Sequence, residues 1–306
     1  MWLLNKIHVF LSSLMGELLK LRYQAFPVSI AGGLNTAPRE ERVVVSLTSY
    51  GRRVASVLPF AVYSLLRQTV KPDVIVLWLD EQQWSDDRLP RRIAQLRKAG
   101  LLTVNYCRDL RSYKKLVYAL RDYADDVIIT VDDDSYYRSN LIERLLAAHR
   151  EHPEWVITQR AHRMRIDGCT VAPYVSWQLK VYGAHDDLVF PTGGGGCLYK
   201  RSMLYHDVAD SRLFMRLSPT ADDVWFFFME LLQATTRLVL PRDGYAYVPL
   251  DAFYQLFHRQ SNLKQTNFDG GQNDVQIKAV MDYYHVTVAD GRLRLPAINE
   301  PPRQTV

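Results

Sequence analysis

Short β-branched runs alternate with helical segments from residue 43 to residue 131, and this alternation limits the fold more than any other feature of the chain. Val43-Val-Val-Ser-Leu47, Val74-Ile-Val-Leu-Trp-Leu79, Leu101-Leu-Thr-Val104 and Val127-Ile-Ile-Thr-Val131 are brief and almost wholly apolar, as strands buried on both faces are. Between them, Val54 to Thr69, Arg91 to Lys98 and Ser112 to Tyr123 carry apolar residues at helical spacing, with Pro72 and Gly100 as stops. Strand and helix at this interval predict an α/β fold: an open, mostly parallel sheet with helices on both faces. Ligands of such sheets bind beyond the carboxyl ends of the strands. Two polar stretches fall there, Thr48-Ser-Tyr-Gly-Arg-Arg53 and Asp132-Asp-Asp134.

The 306 residues suffice for one large domain with extensions, which the pattern divides into an N-terminal helix and link over 1–40, a main domain over 41–285 and a hairpin with tail over 286–306. Downstream, Leu141 to Arg150 reads as a helix opened by a capping box of Asn140 and Glu143, and Trp155-Val-Ile-Thr158 as a strand. From Gln159 to Pro191 the periodicity is weak; Ala289-Asp-Gly-Arg292 is a hairpin turn signal. A net charge of +5 favours anionic partners such as nucleotides, phosphates or an acidic membrane surface. Cys107, Cys169 and Cys197 are odd in number and far apart, which fits a reducing compartment rather than a disulfide framework or zinc site. In the first 21 residues Lys6, His8, Glu17 and Lys20 interrupt an apolar run too short to span a bilayer. Leu3, Ile7, Phe10, Leu11, Leu14, Leu18 and Leu21 share one helical face, which would dock on its own domain, lie in a membrane interface or bind a partner.

Three stretches carry chemistry. Hard divalent cations such as manganese or magnesium prefer carboxylate oxygens, and alternate residues of an extended segment project to one side, so Asp132 and Asp134 would share an ion while Asp133 faces away. Asp223, in Thr220-Ala-Asp-Asp-Val-Trp225, is either the cap of a buried helix or a general base held at its head, with Asp222 left over. Gly193-Gly-Gly-Gly196 is costly in backbone entropy unless the chain needs positive φ angles or a ligand touches the backbone. Lys114 or Lys115 would meet a phosphate or stay exposed on a helix, and His258 is an additional metal ligand or a satisfied histidine.

Taken in order, Val44-Val-Ser-Leu-Thr-Ser-Tyr-Gly-Arg-Arg53, Ser64-Leu-Leu-Arg-Gln-Thr-Val-Lys-Pro-Asp-Val-Ile-Val-Leu-Trp78, Ile129-Thr-Val-Asp-Asp-Asp134 and Thr220-Ala-Asp-Asp-Val-Trp225 resemble a bacterial family 2 type glycosyltransferase of GT-A fold, over residues 41 to 285. The resemblance implies a Rossmann-like sheet and an inverting, metal-dependent hexosyl transfer from a nucleotide sugar, UDP-linked, to a glycan or lipid-linked glycan acceptor in capsule or O-antigen synthesis. It makes Asp132-x-Asp134 the DxD motif that binds metal and nucleotide, with Asp133 beside it, and Asp223 the base, with Asp222 where many members have Glu. Thr48, Ser49 and Arg52 would line the nucleotide pocket, and Gly194, Gly195 and Gly196 would approach the donor sugar or acceptor. No nucleic-acid partner is expected, and the place of action would be the cytoplasm, peripheral on the inner membrane face. The alternatives are an inactive glycan- or nucleotide-binding module and a sugar-phosphate nucleotidyltransferase, which usually has a Gly-rich basic loop after its first strand; Thr48 to Arg53 has one glycine.

Overall fold

The computed structural model describes residues 2–25, 33–257 and 265–296. Strands β1 (Val43–Thr48), β2 (Val74–Asp80), β3 (Thr103–Cys107), β4 (Val127–Thr130), β5 (Val156–Thr158), β6 (Cys197–Tyr199) and β7 (Arg237–Val239) form one sheet in the order β7-β5-β6-β4-β1-β2-β3. All neighbours run parallel except β6, which is antiparallel to both β4 and β5. Val45 stands opposite Ile75 on one side and Ile129 on the other, so the most β-branched run occupies the middle of the sheet, where both of its faces are covered. The chain proceeds outward through β2 and β3 and then returns to the other side of β1 as β4. That reversal makes the β1/β4 edge the switch point at which open α/β sheets bind ligands.

The helices that matter for the site are α1 (Trp2–Ala25), α2 (Leu58–Leu66), α3 (Arg91–Lys98), α4 (Lys114–Asp122), α5 (Leu141–Glu151), α6 (Asp222–Leu232) and α7 (Gln272–Tyr283). Helix α4 lies across β1, β2 and β4. Its first turn is pinned by a buried polar link: Trp78 Nε1 donates to Ser46 Oγ at 2.9 Å, and Ser46 Oγ donates to the Lys115 carbonyl. A hydroxyl buried mid-strand is thereby satisfied, and Lys115 is fixed over the sheet.

Several expectations are corrected. The helix foreseen over Val54 to Thr69 is broken at Val57 into a turn, Arg53–Ser56, and α2, whose Pro59 fits a first helical turn but not an interior. The third strand starts at Thr103 rather than Leu101, whose N–H instead closes the end of α3 on the Leu96 carbonyl. Asn140 makes no side-chain cap and has φ −106°, ψ 15° instead of an extended conformation; Glu143 accepts a hydrogen bond from Thr69 Oγ1, so no capping box forms. The weakly periodic stretch is a small antiparallel ribbon in which Ala161–Arg163 pairs with Gln178–Val181 and Val189–Pro191. At the other end, Asp290 and Gly291 take φ of 51° and 70° and join two short strands, whose Val288 and Leu293 pack into the main core.

Helix α1 docks on the strand Tyr247–Pro249 and the helix Ala252–Phe257. Gly16 abuts the Pro249 backbone, and the Tyr23 and Tyr136 hydroxyls meet at 2.6 Å. Leu11, Leu14, Met15, Leu18 and Leu21 stay exposed, so docking uses one face and leaves an apolar stripe open. Among the described residues no helix is long and apolar enough to cross a membrane. Cys107 and Cys197 are buried free thiols and Cys169 an exposed one.

Candidate active site

Lys115 is the hub of the strand-end cleft. It projects from the first turn of α4 and is almost wholly buried, with Nζ 2.9 Å from Asp132 Oδ1 and 3.3 Å from Asp222 Oδ2. Burial alone would favour the neutral amine, but the carboxylates of Asp132, Asp222 and Asp223 more than offset it and hold the ammonium well above its usual range. Burial likewise opposes charge on Asp132, yet Lys115 draws its carboxyl below the ordinary carboxylate value. The Asp132 N–H donates to the Tyr137 hydroxyl, which in turn donates to the Gly194 carbonyl.

The glycines now have a reason. Gly193 to Gly195 form a 3-10 turn against these side chains, and Gly196 takes φ +97°. A Cβ on Gly193 would stand 2.7 Å from Lys115 Nζ, and one on Gly194 3.1 Å from Asp132 Oδ2 and 3.3 Å from Arg160 Nη1. Gly196 faces Leu141 and serves the turn itself.

Asp223 heads helix α6 without capping it, since neither it nor Asp222 bonds the helix's free N–H groups. Its Oδ1 accepts from Gly193 N–H at 2.9 Å, across the cleft from its own helix. Burial, and next the charge of Asp222, push its carboxyl up to about 7, in spite of Lys115. The head of α6 is clamped by the turn before α4: Ser112 Oγ donates to Asp222 Oδ1 at 2.8 Å, Arg111 Nη1 to the Pro219 carbonyl at 2.8 Å, and the Tyr113 hydroxyl to the Ser218 carbonyl. With the helix head clamped through Asp222 and its own carboxylate held by Gly193, Asp223, with a pKa near neutrality, is suited to proton transfer.

A second cluster adjoins the first. The chain turns at residues 133–134, so the rule for extended segments does not apply there. Arg53 grips both Asp133 Oδ1 at 3.0 Å and Asp134 Oδ2 at 2.9 Å, and reaches Asp251 at 3.3 Å. Asp133 also accepts from Ser49 Oγ at 2.5 Å, and burial pushes its carboxyl up to about 7 despite Arg53. Asp134 is raised as well, through burial. Arg52 pairs with Asp251 at 2.5 Å and lies over the Tyr254 ring. The Thr48 hydroxyl is spent on the Trp78 carbonyl of β2 at 2.8 Å.

Lys115, Asp132, Asp222, Asp223, Gly193, Gly194 and Gly195 thus meet, with Ser49, Arg52, Asp133 and Asp134 alongside; His258 lies outside the described residues. For a divalent cation the donor set is chemically suited: Asp132 and Asp134 are partly exposed carboxylates, 36% and 26%, and magnesium-type ions take one or two of these and complete their shell with substrate phosphates. Among the described residues no group of three or more His, Cys, Asp or Glu side chains forms a ligand set, so the protein's share would be that pair. Sequence reasoning missed Arg53, Arg160, Ser112, Tyr137, Tyr247 and Asp251. Arg53 was within reach, since it stands beside Arg52 in the same loop.

No protein-family model matches the chain, and no curated protein matches it by sequence. Solved structures with a similar chain course include a 4-diphosphocytidyl-2C-methyl-D-erythritol synthase, 12% identical, with a TM-score of 0.41, covering 72% of this chain and 97% of that one. Another is a CMP:2-keto-3-deoxy-manno-octonic acid synthetase complexed with CTP, 13% identical, with a TM-score of 0.43, covering 71% and 97%. The sheet topology itself is that of an open, mostly parallel, Rossmann-like α/β fold.

Proposed function

We propose that this chain is an enzyme of nucleotide-sugar chemistry, and specifically an inverting glycosyltransferase that moves a sugar from a nucleotide sugar to a glycan hydroxyl, for a surface polysaccharide. One observation carries this reading: Lys115 bridges Asp132 to Asp222, and the neighbouring Asp223 is held by the N–H of Gly193 in the glycine turn, so a base and a donor-holding carboxylate share one cleft. Asp223 would take the proton of the acceptor hydroxyl as that oxygen attacks the anomeric carbon, and the nucleoside diphosphate leaves from the opposite face. Lys115 would orient Asp132 and balance negative charge. Ser49, Arg52 and Arg53 would border the nucleotide at the β1 end, and the backbone of Gly193 to Gly195 would contact the sugar. Asp132 and Asp134 would hold a divalent ion, which when bound neutralises diphosphate charge. The exposed stripe of α1 supports a place on a membrane face, where a lipid-linked acceptor would be within reach.

A second reading is nucleotidyl transfer to a sugar or sugar phosphate. Lys115, a cation at the strand ends able to meet a triphosphate, favours it, and the two solved structures named above bear cytidyl nucleotides in their names. Incubating the protein with manganese and either nucleotide sugars or nucleoside triphosphates with sugar phosphates separates the two. Glycosyl transfer releases nucleoside diphosphate and is lost in Asp223→Asn with donor binding kept. Release of pyrophosphate would establish the second reading, and an Asp223→Asn variant with full transfer would end the base assignment.

A further inference from the structure

The cations of the cleft are matched to carboxylates with one exception. Lys115 pairs with Asp132 and Asp222, Arg52 with Asp251, and Arg53 with Asp133, Asp134 and Asp251. Arg160, by contrast, forms no ion pair within 4.0 Å among the described residues. Its backbone is fixed just past β5: its carbonyl accepts from Thr192 N–H at 3.0 Å and Thr158 Oγ1 at 2.9 Å. The side chain then runs along Gly195 and brings Nη1 to Gly194, where its one polar contact among the described residues is the Tyr247 hydroxyl, at a long 3.4 Å. Nε is buried with no partner among the described residues. Asp132 Oδ2 and Arg160 Nη1 both lie within 3.3 Å of the point that a Gly194 Cβ would occupy, yet they do not close into a pair.

The guanidinium is half-buried, with its Nε shut off from water, and in native proteins a buried polar atom of this kind is usually matched to an anion or ordered water. Its place in the sheet suggests which part of a ligand it meets. Strand β5 is separated from β1 by β6 and β4, so at about 4.8 Å per strand the Arg160 backbone is roughly 14 Å from the β1 end where a nucleotide would lie, and its side chain enters the cleft from the far side of Asp132. Its guanidinium lies beside Gly194 and Asp132, which on the nucleotide-sugar reading is where the sugar would sit.

Resting on the nucleotide-sugar reading, we propose that Arg160, with Tyr247 and the Gly193 to Gly195 turn, binds an anionic substituent of the substrate sugar, a carboxylate of the hexuronic acid kind, and so selects acidic over neutral sugars. A planar guanidinium meets a carboxylate through paired N–H donors, which lysine does not reproduce. Calorimetric titration of the full chain with UDP, UDP-glucose and UDP-glucuronate in manganese, and of free glucose and glucuronate, tests this in wild type, Arg160→Gln and Arg160→Lys. Wild type should prefer the acidic sugar by about tenfold or more in the donor arm or the free-sugar arm. Arg160→Gln should remove that preference and leave UDP affinity unchanged, with Arg160→Lys in between and still folded. Equal affinities for acidic and neutral sugars in wild type would overturn the proposal, as would an Arg160→Gln loss that falls equally on UDP itself, which would assign the guanidinium to the diphosphate. The free-sugar arm needs no nucleotide: a chain that binds no UDP compound but prefers glucuronate keeps this site while losing the parent reading.

Discussion

Removing a lysine that is buried between two aspartates differs in kind from removing a surface cation. Without Lys115, Asp132 and Asp222 would face each other with no ammonium between them, and breaking a buried ion pair from one side costs about 3 kcal/mol or more. Lys115→Met should therefore lower the unfolding free energy by about 3 kcal/mol in urea denaturation, and adding Asp132→Asn should recover part of the loss; an unchanged midpoint in the single variant would contradict the pairing. Asp223 has the opposite relation to pH. Its folded pKa of about 7 lies above the ordinary carboxylate value, so the folded chain holds an extra proton there. The stability this gives is complete below about pH 4 and is lost as pH rises to 7, and Asp133, also raised to about 7, adds to the slope. A base must be ionised, so kcat/KM should climb through about pH 7 while stability falls. Thermal melts and transfer rates from pH 4.5 to 8.5 would show both trends, and Asp223→Asn should flatten the melting curve only in part, because Asp133 remains.

At the scale of elements, α1 offers the clearest test. Its docked face is set by Gly16 against Pro249 and by Tyr23 among Phe60, Leu250 and Tyr136, whereas Leu14 and Leu18 touch water. If the open stripe meets a membrane, Leu14→Ser with Leu18→Ser should reduce co-sedimentation with anionic vesicles by tenfold or more, since each leucine buried contributes about 1.5 kcal/mol or more. Melting temperature should not change, and equal sedimentation of variant and wild type would remove the membrane role. The strands beneath were legible because Val43 to Leu47 and Val127 to Val131 are buried on both faces, a condition that leaves a continuous apolar run. The ribbon from Ala161 to Pro191 was not, because its strands are three or four residues long and its partners are set by register, which local pattern does not encode. Asp223 was legible as a helix head but not as the partner of Gly193, thirty residues earlier in sequence; only the tertiary fold brings the two together. Lys115 reads in the sequence as a phosphate contact or an exposed helical lysine; its burial between Asp132 and Asp222 comes from α4 lying over β1, which local pattern does not encode.

For the molecule as a whole, the site draws on residues from Ser49 to Asp251, so loops remote in sequence are held together by the same groups that would grip a ligand. Arg52 and Arg53 both reach Asp251, tying the loop after β1 to the segment on which α1 docks. A ligand that spans the β1 end and the Asp132 rim would therefore brace elements across the whole fold, and its binding should appear as global stabilisation. At one hundred times its dissociation constant, a ligand that binds only the folded state adds about 2.7 kcal/mol, which in a chain of this size raises the melting temperature by about 5 °C. UDP with manganese should reach that value, and manganese alone should fall well short, because two carboxylates already engaged by Lys115 and Arg53 hold an ion weakly until phosphate oxygens join them. Asp132→Asn with Asp134→Asn should abolish the manganese dependence yet keep a residual shift from the nucleotide on Ser49, Arg52 and Arg53. A scan across UDP, CDP, GDP and ADP that moved the melting temperature of the wild type by less than 1 °C would leave the cleft without a nucleotide and the proposed chemistry without its donor.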